Sequence, residues 1–362
     1  MKRLYLTLSV FLTLVTAAVA QPPANYYQSA AGLSGLPLQT ALHNKIKGHT
    51  VLSYTPGLWN AYKTTDKRPG TNYVWDIYSD KPGQTPPYQY TLGSDQCGNG
   101  ANHENSCYNR EHTWPQSKFG SNSPMVSDLW IVYPTDYYVN NQRGNMQYGK
   151  VGTASKTFLN GSKIGNNVYP GAPSGTCFEP IDSFKGDIAR SYFYIATRYL
   201  GEDASWQTWD MATKAVLKPW AAQMLLDWHR MDPVSAKEIA RNNAVYALQN
   251  NRNPFIDSPQ YAECIWGTSG NCRVAQSVAT VSGAEDALQV FYDVNAGKIY
   301  VSSTQAATAQ LMDVQGRVLK TLLPENAASN RWELLMADYP RGMYFIRTQT
   351  AAGATIRRVV FP

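Results

Sequence analysis

Between Phe184 and Leu200, in FKGDIARSYFYIATRYL, apolar side chains fall at Ile188, Tyr192, Ile195, Ala196 and Tyr199. That three-and-four spacing collects them on one face of an α-helix. The stretches from Ala221 to His229 and from Ser235 to Asn250 repeat the pattern, the second following Asp232-Pro233, and each predicts a further helix. After Cys272 the pattern changes. Arg273 to Glu285, RVAQSVATVSGAE, is small, polar and free of aromatics, which suits a linker. Leu288 to Pro362 then alternates short β-prone runs (VFYDV, KIYVSS, AQLMDV, RVLKTLL, YFI, VVF) with turns at Asn295-Ala296-Gly297-Lys298 and Gln315-Gly316. Short strands at such spacing predict a small β-sandwich. No long internal repeat and no low-complexity tract interrupts the chain.

The start of the chain predicts export. MKRLYLTLSVFLTLVTAAVAQPP opens with Lys2 and Arg3, continues through an apolar run from Leu4 to about Val15, and reaches the small triplet Ala18-Val19-Ala20. This is the pattern of a secretory signal peptide over residues 1–20, with cleavage expected before Gln21. The apolar run is too short for a good membrane span, and no other stretch reaches about 18 apolar residues. A soluble, exported protein of roughly 340 residues (362 less 20) remains, enough for one large domain over 21–272, a linker over 273–285 and a smaller domain over 286–362. Export leads to an oxidising compartment, where the five cysteines can pair. Cys97 with Cys107 and Cys264 with Cys272 would each close a short loop and leave Cys177 single, although spacing alone does not fix connectivity. A net charge of +6 and a pI near 8.9 are compatible with a polyanionic partner. Many secreted proteins are as basic for solubility alone.

Chemistry concentrates in YNREHTWPQSKFG, Tyr108 to Gly120, which sets Glu111 beside His112 in a chain with only five histidines. A neutral imidazole can take a proton, and a carboxylate can hold a hard divalent cation. Phosphodiester hydrolysis needs both functions, a base to activate water and a cation to neutralise charge on phosphate and leaving oxygen. Neighbours in a straight strand point to opposite faces, so the pair can share a site only where a strand twists or ends. Pro115 predicts such an ending. Farther on, in SDLWIVYPTDYYVNNQRGN, Pro134-Thr135 offers an N-cap, Asp136 suits a first turn and Gly144 a stop. A short helix over Asp136 to Arg143 is predicted. Asn140 and Arg143, three apart, would face the same way and project an amide oxygen and a guanidinium together.

These blocks, with YTPGLWNAYKTTD, VWDIYSD, DQCGN, GTCFEPIDSFKGDIARSYFYIATRY and WHRMDPVSAKEIARNNAVYALQNNRNPFIDSPQYAECIW, resemble secreted bacterial endonuclease I, a member of the His-Me finger (ββα-metal) nucleases. The likeness runs from Tyr54 to Trp266. It implies an α+β fold: a His-Me finger core embedded in a mostly helical, loop-rich domain, followed by the C-terminal β-sandwich. It also implies that His112 acts as general base, that Glu111 and Asn140 bind one catalytic Mg²⁺, and that Arg143 and Arg190 contact phosphate. Lys185, in the same block as Arg190, is expected on the nucleic-acid backbone. Three positions depart from the family pattern: Trp130-Ile131 stands where relatives often carry His-His or His-Asn, and Ser258 where His is frequent. The end of the chain, with LMDVQGRVLKTL, YPRGMYFIRT and RRVVFP, is similar to the sorting domain of type IX secretion, which implies an outer-membrane secretion machinery as partner.

Blander readings stand beside these. Singly, a His next to a Glu is usually a solvated surface pair, and Asn140 and Arg143 are ordinary polar helix residues. Cys97, His103, Cys107 and His112 have a spacing that could serve zinc, whereas export favours a disulfide. His43, His49 and His229 read as structural or surface residues. The 24 tyrosines and 10 tryptophans would also suit a secreted carbohydrate-binding or adhesive protein without catalysis. The expectation is a monomeric, secreted, Mg²⁺-dependent endonuclease with little sequence preference, acting on DNA and, as second substrate, RNA.

Overall fold

A computed structural model of the chain describes residues 22–267 and, farther on, 289–293, 298–302, 308–313, 317–322, 331–340, 342–350 and 353–361. The expected signal peptide, the linker 273–285 and the turns at 295–297 and 315–316 lie outside the described residues. The chain divides into two units, Met1–Ser277 and Val278–Pro362.

In the first unit the elements run α1 (Gly35–Ile46), α2 (Gly57–Thr65), β1 (Tyr108–His112), β2 (Val132–Asp136), α3 (Tyr137–Arg143), β3 (Gln147–Tyr148), β4 (Val151–Thr157), β5 (Lys163–Asn167) and β6 (Thr176–Glu179). They continue with α4 (Lys185–Arg198), β7 (Ala212–Thr213), β8 (Val216–Leu217), α5 (Pro219–Met231), α6 (Ala236–Gln249), α7 (Pro254–Asp257) and α8 (Gln260–Trp266). Eight helices and three small sheets thus make a mixed α and β unit among the described residues. The helix expected over Phe184 to Leu200 is α4, and every residue of it except Asp187 is buried, as befits a helix enclosed by others rather than lying on a surface. Gly186 allows the closest approach: a Cβ there would stand 2.1 Å from the carbonyl oxygen of Asp232. The expected helices at 221–229 and 235–250 are α5 and α6. Pro219 opens α5 at its first turn, and α6 begins with a reciprocal capping box between Ser235 and Glu238, which satisfies two otherwise unpaired backbone donors.

Two short sheets and one helix set up the front of this unit. β1 and β2 pair antiparallel with Glu111 opposite Tyr133 and His112 opposite Val132, and β2 runs directly into α3. Pro134 lies within β2 rather than at a helix cap. β2 has a single strand neighbour, so alternate N–H groups point away from the ladder and a proline is tolerated. The four-stranded sheet β3-β6-β5-β4 had no signal in the hydrophobic pattern, because β4 is almost wholly exposed. Behind these elements one apolar core gathers Trp114, Trp130, Tyr192, Tyr194, Phe178 and Leu225 with many others. Each large apolar side chain buried this way contributes about 1.5–3 kcal/mol.

The second unit holds β9 (Gln289–Asp293), β10 (Lys298–Ser302), β11 (Thr308–Met312), β12 (Val318–Leu322), β13 (Arg331–Leu335), β14 (Gly342–Thr350) and β15 (Gly353–Phe361). They form a three-stranded sheet, β13-β10-β9, and a four-stranded sheet, β12-β11-β14-β15. Both contribute to one core, with Ile299, Val301 and Trp332 from the first and Leu311, Ile346 and Val359 from the second.

Candidate active site

β1 ends at His112, so Glu111 and His112 can both turn toward a cavity of about 250 Å³. Arg110, Gln116, Asn140 and Asn145 also line it. Backbone anchors fix the strand end: Thr113 N donates to Ile131 O at 3.1 Å, and Tyr192 Oη donates to Thr113 O at 2.8 Å.

His112 is almost fully buried, and both ring nitrogens are engaged. Nε2 lies 2.9 Å from the carbonyl oxygen of Val126. A carbonyl only accepts, so Nε2 carries the proton and Nδ1 holds the lone pair. Nδ1 faces the amide nitrogen of Gln116 at 2.8 Å, while Gln116 Oε1 accepts from Ser121 Oγ at 3.0 Å, which orients the amide consistently with that tautomer. Burial pushes the ring's pKa down to about 4, with the Arg110 and Arg143 charges acting the same way. The imidazole is therefore neutral at ordinary pH, with its basic nitrogen toward the cavity lining.

Glu111 is held from one side only. Its Oε1 accepts from Tyr78 Oη at 2.7 Å and from Arg143 Nη1 at 3.0 Å. Since Tyr78 gives its proton to the carboxylate, the 2.7 Å contact between Tyr78 and Tyr148 must have Tyr148 as donor. The second oxygen, Oε2, accepts no hydrogen bond among the described residues. Burial raises the carboxyl pKa to about 7, against the opposing pull of Arg143 and Tyr78.

Asn140 arrives on α3, whose entry is fixed by carboxylates. Asp136, not Thr135, is the N-cap, accepting from Val139 N at 2.8 Å. Its other oxygen accepts from Tyr90 Oη at 2.6 Å and Asn105 N at 3.0 Å, and its own N–H donates to Asp76 Oδ2 at 2.7 Å. Gly144, at φ 54°, ends the helix in the left-handed region that favours glycine. One turn in, Asn140 Nδ2 donates to Asn109 Oδ1 at 2.8 Å and more weakly to Arg110 O at 3.3 Å. The amide oxygen is left without a donor among the described residues, on the wall shared with Glu111.

The expected phosphate ligands are placed differently. Arg143 is fully buried, and its guanidinium donates to Glu111 Oε1, His112 O and Thr113 O with its plane over Tyr148. It clamps the end of β1 instead of lining the cavity. Arg190 is also fully buried, bound to Glu238 and to Asp232 O at 2.9 Å, a lock between α4, α5 and α6. Lys185 pairs with Glu179 at 2.6 Å and Asp182 at 2.8 Å. The structure does not bring Arg190 or Lys185 to the cavity, because local carboxylates claim both cations. Trp130 and Ile131 are core residues, and Ser258 caps the end of α7; none of the three lines the cavity. Tyr78, Gln116 and Arg110 had no signal in the sequence beyond the proximity of the last two to the Glu-His pair.

Cys97 and Cys107 are joined in a disulfide, which removes the zinc reading of those residues. Cys264 is disulfide-bonded too, and Cys272, its expected partner, lies outside the described residues. Cys177 is free and buried. Among the described residues no group of three or more His, Cys, Asp or Glu could hold a metal. A cation here would rely on one carboxylate and one amide oxygen, completed by water and substrate. Such a sparse, all-oxygen set suits Mg²⁺, which keeps several of its waters.

Comparison with known proteins gives two family matches. The family model described as Endonuclease I matches residues 34–260, and that described as Secretion system C-terminal sorting domain matches residues 295–361. An extracellular ribonuclease of Bacillus amyloliquefaciens is 36% identical over 266 residues, covering 69% of this chain and 82% of that protein. The extracellular ribonuclease of Bacillus subtilis (strain 168) is 36% identical over 260 residues with the same coverage. Endonuclease-1 of Buchnera aphidicola subsp. Baizongia pistaciae is 26% identical over 140 residues, 39% of this chain and 48% of that protein.

Proposed function

The chain belongs to the endonuclease I family and ends in a type IX sorting domain, and from that premise we propose a secreted endonuclease of the His-Me finger type that hydrolyses DNA and RNA with little sequence preference. Family membership makes the protein a nuclease and sets aside the adhesive alternative. The sorting domain, read as a small β-sandwich, directs it to the cell surface or beyond through the outer-membrane machinery. RNA as substrate is supported by relatives named extracellular ribonucleases.

The carrying observation is the posture of His112: Nε2–H is pinned to the Val126 carbonyl, and the Nδ1 lone pair is met by Gln116, itself in the wall of the cavity that Glu111 and Asn140 also line. In the reaction Gln116 yields its place at Nδ1 to water. His112 takes the water proton, the resulting hydroxide attacks phosphorus, and the bond from phosphorus to the leaving oxygen breaks. An arriving phosphate, being anionic, raises the imidazole's affinity for that proton. Glu111 Oε2 and Asn140 Oδ1, neither of which accepts a hydrogen bond among the described residues, would hold one Mg²⁺. When bound, that ion supplies positive charge to the phosphate and leaving oxygens. Arg143, Tyr78 and Tyr148 keep Glu111 turned to its task. Among the described residues the cavity is lined by the end of one strand, the residues after it, and one short helix with the turn that follows, and this reading puts the contacts on the backbone of the nucleic acid.

The test is cleavage of plasmid DNA and of RNA by the purified protein, with Mg²⁺ or EDTA, beside His112→Ala and Glu111→Ala. EDTA is expected to abolish cleavage, and His112→Ala to lower the rate by about 10²–10⁴-fold. Undiminished cutting by a folded His112→Ala protein would remove the base, and cutting indifferent to EDTA would remove the ion.

A further inference from the structure

A phosphodiester brings a negative charge to this cavity, and the arginines expected to meet it are bonded inward. Among the residues that line the cavity, Arg110 is the one with a cationic side chain. It sits on β1 immediately before Glu111 and is half-buried. Nη1 donates to Tyr54 O and to Thr55 Oγ1, both at 2.7 Å. The guanidinium carbon lies 3.7 Å from the Tyr54 ring centre and 4.6 Å from that of Trp59. Tyr54 in turn stacks toward the His112 ring, with centres 6.0 Å apart at 28°. The group is thus held beside the base by one backbone carbonyl, one threonine hydroxyl and two aromatic faces. Among the described residues no carboxylate pairs with it. Its Nε and Nη2, which share one edge of the planar fork, donate to no protein acceptor there.

We propose that Arg110 is a substrate-contacting residue that receives a phosphate of the nucleic-acid strand on its Nε/Nη2 edge. This rests on the nuclease reading above and adds to it the residue that holds the strand. The cost of ordering a long side chain is already met by the Tyr54 and Trp59 stack, and two parallel N–H groups match the spacing of phosphate oxygens. A stacked guanidinium keeps its edge free because its faces are what the rings occupy.

Two measurements on the full protein decide the matter. In a cleavage-silent His112→Ala background, binding of a labelled single-stranded and a duplex oligonucleotide is followed across 50 to 200 mM salt, with and without Arg110→Ala and Arg110→Lys. Loss of one phosphate contact lowers the slope of log affinity against log salt by about 0.7 for single strands and about 0.9 for duplex. Arg110→Lys restores the slope, because one charge returns, but not the geometry of the fork. In the His112-competent protein, Arg110→Ala lowers kcat/KM on the order of 100-fold, and added methylguanidinium recovers part of that loss. A folded Arg110→Ala protein with the original slope overturns the proposal, even if kcat falls, since the residue would then only brace the Tyr54 loop. If the unsubstituted protein cuts neither DNA nor RNA, the nuclease mechanism fails on its own, and the binding slopes still judge Arg110.

Discussion

Glu111, His112 and Asn140 were legible in the sequence for a local reason. The first two are neighbours at a strand end marked by Pro115, and the third rides a short helix bounded by Asp136 and Gly144. What spacing cannot show is where a long cation goes. Arg143 shares a helix face with Asn140, yet three acceptors from the end of β1 draw it into the interior. Tyr78 reaches Glu111 across 33 positions and Tyr54 reaches Arg110 across 56, separations at which no periodicity carries information. Arg143 should behave as a positioning residue. Arg143→Lys replaces a planar fork by a point charge that cannot serve Glu111, His112 O and Thr113 O together. The expected result is a 10- to 100-fold lower kcat and a lower Tm with the salt slope of cleavage unchanged; a reduced slope with normal Tm would return Arg143 to the phosphate.

At the scale of elements, helices with polar caps and apolar stripes were readable, and strands without them were not. α6 announces itself through Ser235 and Glu238, whereas β4 and β5 are rich in Gly, Asn, Lys and Thr and β6 is only four residues long, so the three are recognisable only once paired. α6 also docks against the end of α2 through two buried cations: Lys237 Nζ donates to Thr65 O at 2.5 Å, and Arg241 pairs with Asp66 at 2.8 Å. Burial pushes the Lys237 pKa down from 10.5 to about 8, only partly offset by Asp66. Because the folded value is the lower one, the unfolded chain binds more protons between about 8 and 10.5, and stability on this account rises with pH in that window. Below it the penalty is fully present, about 3 kcal/mol as an order of magnitude. The Tm of the unsubstituted protein minus that of Lys237→Met should therefore increase from pH 7.5 to pH 10. A constant difference would mean that the ammonium is not desolvated as its surroundings imply.

Across the whole molecule, the composition changes after Cys272, and the described residues gather into two cores, one in each unit. The cross-link between Cys97 and Cys107 acts at long range on the first unit. Cys107 directly precedes β1, its carbonyl accepts from Tyr137 N at the start of α3, and Cys97 N donates to Tyr108 O at 2.9 Å. A loop of this size confers about 3 kcal/mol when closed, and here the gain falls on both elements that bear the proposed catalytic groups. Reduction, or paired Cys97→Ser and Cys107→Ser replacement, should lower Tm and slow cleavage together; full speed at unchanged Tm would disprove the link. A thiol-rich cytoplasm keeps that bridge open, so the expected consequence is a chain that cuts more slowly inside its producer than after export into an oxidising space.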